Sequence, residues 1–135
     1  MYQQMIFVNL ATNDVAASRK FFTELGYPIN PQFSTDDCSC VVISDTIIAM
    51  LLSRQRYADF TKKEIADSTK TSEVLICLSA ESREKVDELV EKAVAAGGTA
   101  NDDVQDQGFM YGRSFDDLDG HSWEVTWMDP AVVEG

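Results

Sequence analysis

The chain has 135 residues, enough for one domain with its own core, and 44% of them are hydrophobic, which excludes a disordered polymer. No apolar run approaches the roughly 20 residues of a membrane-spanning helix, and no basic-then-apolar leader is expected at the N-terminus. A formal net charge of −12 argues against nucleic-acid binding, which needs Lys and Arg to neutralise phosphates; it suits solubility and is compatible with a cationic ligand. Cys38, Cys40 and Cys77 make an odd count without metal-like spacing, so reduced thiols in a cytoplasmic protein are expected, with Cys38 and Cys40 as small packing residues.

Met5 to Ala11 alternates as a strand, with Ile6, Val8 and Leu10 on one face and Phe7, Asn9 and Ala11 on the other. Asn13 or Asp14 caps a helix that runs to about Leu25 and stops at Gly26; Val15, Ser18, Phe21, Phe22 and Leu25 form its buried stripe. Pro28 and Pro31 forbid regular structure nearby. Two strands follow, about Cys40 to Ile43 and Thr46 to Leu52, joined at Ser44-Asp45. The polar stretch Ser53 to Thr71 reads as a linker with a short helix around Tyr57 to Ile65.

The pattern then begins again. Glu73 to Ser79 is a strand, with Glu73, Leu75 and Cys77 sharing a face. Ser82 caps a helix whose Val86, Leu89, Val90, Ala93 and Val94 follow helical spacing, and Gly97-Gly98 ends it. A strand near Thr99 to Val104 precedes a final hairpin, with its turn at Asp117 to Gly120. Past that turn Trp123, Val125 and Trp127 face a core, while Ser122, Glu124 and Thr126 face a cleft. Strand, helix and three strands therefore occur twice: a first unit over about 5–52, a linker over 53–71 and a second unit over 72–128, all within a single domain of 1–135.

The doubled unit, the segment Asp117-Leu-Asp-Gly-His-Ser-Trp-Glu124 and the opening Phe7 to Tyr27 resemble the vicinal oxygen chelate superfamily. That superfamily includes glyoxalases, bleomycin-resistance proteins and extradiol dioxygenases. The resemblance implies an α+β fold in which two βαβββ units form a half-open mixed β-barrel with helices on the convex side, commonly as a homodimer. It also implies a metal position reached from four strands, matched here by Phe7, Met50, Glu73 and Glu124. Phe7 and Met50 are not ligands for a hard cation. The one histidine, His121, lies in the turn, so a two-histidine iron site cannot form within the chain.

The groove implied by this fold is lined by Phe7, Asn9, Met50, Leu52, Glu73, Leu75, Tyr111, Arg113 and Glu124. Aromatic, soft and convergent polar groups of this kind suit a small-molecule pocket. If the hairpin loop has an even number of residues, Arg113 shares a face with Glu124 and serves as its counter-ion; an odd loop turns Arg113 away. The expected function is a glyoxalase/bleomycin-resistance-like protein that binds a small organic molecule in a dimeric cleft, with no metal and no cofactor. The alternative is a lyase or isomerase that holds Mg²⁺ or Mn²⁺ through Glu73 and Glu124. No membrane or nucleic-acid partner is expected, and no nucleophile-base pair or phosphate loop is visible.

Overall fold

The computed structural model describes residues 1–134. The chain divides into two compact units, Met1–Asp67 and one that begins at Ser68. No helix among the described residues is long and apolar enough to cross a membrane.

The first unit contains β1 (Ile6–Thr12), α1 (Val15–Glu24), β2 (Cys38–Val42), β3 (Ile47–Ser53) and α2 (Arg54–Ala58). Its sheet has the order β1-β3-β2, with β1 parallel and β2 antiparallel to β3. Asp14 is the α1 cap: its carboxylate accepts the Ala17 amide at 3.0 Å, satisfying one of the helix's orphan donors. The α1 stripe of Val15, Ser18, Phe21 and Phe22 is buried with Leu10, Val41, Ala49 and Leu51, which share one sheet face.

Where a third antiparallel strand was expected by analogy with the second unit, only one bridge forms, between Ile29 and Val41. Pro28 and Pro31 flank it and have no N–H to extend a ladder. The carbonyl of Pro28 still accepts from the Val42 amide at 2.9 Å. Helix α2 starts earlier than the expected Tyr57 to Ile65, because the Ser53 hydroxyl accepts the Arg56 amide at 3.1 Å and caps it there.

The second unit contains β4 (Leu75–Ser79), α3 (Arg83–Ala95), β5 (Thr99–Ala100), β6 (Gln105–Asp106), β7 (Met110–Asp116), β8 (Ser122–Met128) and α4 (Pro130–Glu134). The sheet order is β4-β8-β7-β5, with β6 also paired to β7. Ser82 caps α3 by accepting the Lys85 amide at 3.1 Å. Val86, Val90 and Ala93 of α3 are fully buried, and the helix packs on β7 and β8. Burying each valine contributes about 1.5 kcal/mol or more. Phe115 and Trp123, opposite one another in the ladder, stack with ring centroids 6.5 Å apart beneath that helix.

The internal repeat can be aligned on the helix caps. Phe7 stands seven residues before Asp14, and Leu75 stands seven before Ser82. The ladders agree: Asn9 pairs with Met50 in the first unit, and Cys77 pairs with Glu124 in the second. Leu75, not Glu73, is therefore the counterpart of Phe7.

Candidate functional site

The last hairpin decides which side chains meet. Asp116 and Ser122 close the β7–β8 ladder, so the loop is the five residues Asp117 to His121, not the four of a turn ending at Gly120. Asp117 holds the loop in this form. One carboxylate oxygen accepts the amides of Asp119 and His121, both at 3.0 Å, and the other accepts the Trp123 indole N–H at 3.0 Å. Burial raises the Asp117 carboxyl above its ordinary 3.8, against the pull of His121 and these three donors. Gly120 takes φ +85° and lies so close to Ser68 that an added Cβ would sit 2.8 Å from the Ser68 carbonyl oxygen. His121 Nδ1 and the Ser68 hydroxyl are hydrogen-bonded at 3.0 Å, which ties the loop to the start of this unit.

An odd loop reverses the parity of β7 against β8. Ser114, not Arg113, lies opposite Glu124, and Arg113 lies opposite Val125 on the helix side of the sheet. There the guanidinium donates to Asp87 of α3 at 3.0 Å, and the Tyr111 hydroxyl donates to the same carboxylate oxygen at 2.7 Å. The Tyr111 hydrogen bond, then Arg113, hold the Asp87 carboxyl below its ordinary value. The expected pairing of Arg113 with Glu124 is thus corrected, and Tyr111 leaves the Glu124 face with it.

What remains on the Glu124 face is a cavity of about 350 Å³. Glu124, Ser114, Thr126 and Gly112 lie on its floor, and Asn101, Asp103 and Gln105 of the β5–β6 segment border it, with Met110 at one end. Gly112 keeps the floor low: a Cβ there would come within 3.1 Å of the Thr126 hydroxyl. Cys77, beside Glu124 on β4, lies 3.3 Å from that hydroxyl. The Glu124 carboxylate has no hydrogen-bond or ion-pair partner among the described residues. Neither Ser114 nor the amides of the β5–β6 segment were among the expected site residues. The signal available for Ser114 was the Asx pattern of Asp117, which needs the His121 amide inside the loop.

The other expected lining residues lie as follows. Glu73 is exposed in a bend before β4 rather than on the strand. The ladder of β4 with β8 begins at Leu75, opposite Ser122, and the β4 neighbour of Glu124 is Cys77. Leu75 is on the Glu124 face and 59% exposed. In the first unit Phe7 and Asn9 are exposed, and Met50 is half-buried. Asn9 and the buried Leu52 line a separate cavity of about 230 Å³ with Tyr57, Phe60 and Thr61.

The repeat matches Leu75 to Phe7 and Glu124 to Met50, and of these four side chains only the Glu124 carboxylate is a hard donor. Asp117, Asp119 and His121 bring potential ligand atoms within 4.8 Å of one another, but both Asp117 oxygens already accept the N–H donors that shape the loop.

Residues 4–44 match the family model described as bleomycin resistance protein-like N-terminal. No curated protein matches the chain. Among solved structures, a hypothetical protein, SA1046, from S. aureus is 29% identical, with a TM-score of 0.78 and 94% of each chain covered. A glyoxalase-related enzyme from Fulvimarina pelagi is 21% identical, with a TM-score of 0.77 and coverage of 93% of this chain and 88% of that one. A glyoxalase/bleomycin resistance protein/dioxygenase family enzyme from Burkholderia phytofirmans PsJN is 17% identical, with a TM-score of 0.76 and coverage of 93% and 99%. At such identities the last two establish the fold.

Proposed function

We propose that this chain, a vicinal oxygen chelate protein by its fold and by the sequence of its first unit, binds a small organic molecule without using a metal ion. The observation that carries the reading is the cavity on the Glu124 face. It combines a partnerless carboxylate, neutral hydroxyl and amide groups and a methionine, the mixture by which pockets orient small ligands. The metal-dependent lyase or isomerase reading has less support, because Glu73 lies in a bend before β4 and the β4 neighbour of Glu124 is Cys77. The test is metal analysis of protein purified without chelator or nickel affinity resin. Less than about a tenth of an equivalent per chain is expected; one equivalent, lost in Glu124→Ala, overturns the metal-free reading.

The same reading includes a homodimer in the cytoplasm. Strands β1 and β4 are edges of their own sheets, and Ile6, Phe7 and Leu75 on them are 58%, 58% and 59% exposed. Edge strands with apolar side chains are favoured sites of self-association. Sedimentation at micromolar concentration should give twice the chain mass, and a monomer there refutes the dimer.

A further inference from the structure

The charge of the cavity on the Glu124 face points to the chemistry of its occupant. Resting on the reading that this face takes a small molecule, we propose that its ligand class is a protonated amine attached to a compact apolar group. The amine sits at Glu124, and the apolar part lies toward Met110.

Three features of the cavity carry this. Its one floor carboxylate, Glu124, has no cationic or hydrogen-bonding partner among the described residues, because the five-residue loop sends the Arg113 guanidinium through the opposite sheet face to Asp87. The lining offers no side-chain cation that is not already ion-paired. Arg113, the one cation among the lining residues, has its guanidinium held by Asp87 at 3.0 Å, and the other charged group there is Asp103, a second carboxylate. An anion entering would therefore meet like charge, whereas an ammonium would find an acceptor already in place.

The remaining groups divide along the cavity. Ser114 and Thr126 flank Glu124 with hydroxyls that accept further N–H donors, so a three-donor ammonium can be fully satisfied. Gly112 lies beside Thr126 without a side chain, and Met110 follows it on the same face. A volume of about 350 Å³ suits a ligand of aromatic-amine size and excludes a large polycation as the sole occupant.

The test uses three probes of one shape and different charge at pH 7: phenethylamine, 2-phenylethanol and 3-phenylpropionate, titrated into the full chain and followed by amide chemical shifts. Phenethylamine should shift the Gly112, Ser114, Glu124 and Thr126 amides and bind about tenfold tighter than 2-phenylethanol. Glu124→Gln should remove that preference. If 2-phenylethanol or 3-phenylpropionate binds these amides as tightly, or Glu124→Gln leaves the preference intact, the amine assignment fails while the small-molecule reading stands. If no probe moves these amides, both fail. Should Glu124→Gln not fold, 0.5 M NaCl added to the wild type reads the same quantity, since a preference that survives salt is not ionic and overturns the proposal.

Discussion

Arg113 Nη1 lies 3.0 Å from Asp87 Oδ1, so the one guanidinium on β7 is bound to α3 and not to the acid on β8. Arg113→Met should therefore raise the Asp87 pKa. The Asp87 side chain is 42% exposed, so solvent screening limits the stability loss to about 1 kcal/mol. The sign with pH follows from the depressed folded value of Asp87. Its contribution is present above the ordinary 3.8 and is lost as pH falls through the lower folded value. Acid unfolding curves of wild type and Arg113→Met should thus converge at the acid end. An Asp87 titration that the substitution leaves unmoved contradicts the pairing.

The hairpin loop should tolerate no side chain at Gly120. Its φ of +85° disfavours any L-residue, and the Ser68 backbone fills the space where a Cβ would go. Gly120→Ala should cost about 2 kcal/mol or more by urea unfolding. Gly26→Ala, with a similar φ of +105° but nothing within 4 Å of its Cβ, should cost less. Equal losses would mean that contact with Ser68 contributes nothing.

Trp123 does two jobs, stacking on Phe115 and donating its indole N–H to Asp117. Trp123→Phe keeps an aromatic ring but removes a donor from a buried carboxyl, so a loss of about 1–3 kcal/mol is expected at neutral pH. The Asp117 pKa, already raised by burial, should rise further. For a raised folded value, the protonated acid stabilises below the ordinary 3.8, and that contribution is lost as pH rises through the folded value. The mutant deficit should accordingly shrink when unfolding is measured in acid. A deficit independent of pH would assign the loss to packing alone.

Much of this molecule was legible before folding. The helix caps at Asp14 and Ser82, the apolar stripes of α1 and α3 and the doubled order of elements follow from local rules, since capping and helical periodicity act within a few residues. The alternation Trp123, Val125, Trp127 against Ser122, Glu124, Thr126 is equally local, and it placed Glu124 on the face away from α3. What faces Glu124 was not local. Strand parity across a hairpin depends on whether the loop is odd or even, and that depended on Asp117 drawing the amides of Asp119 and His121 into one turn while holding the Trp123 indole. One residue in the loop moved Arg113 to Asp87 and set Ser114 beside the acid. Similarly, alternation put Glu73 on the Glu124 face, but the parallel ladder of β4 with β8 begins only at Leu75 and makes Cys77 the neighbour of Glu124. Face is a property of one strand and can be read from its sequence; register and partner belong to two strands, and tertiary packing decides them.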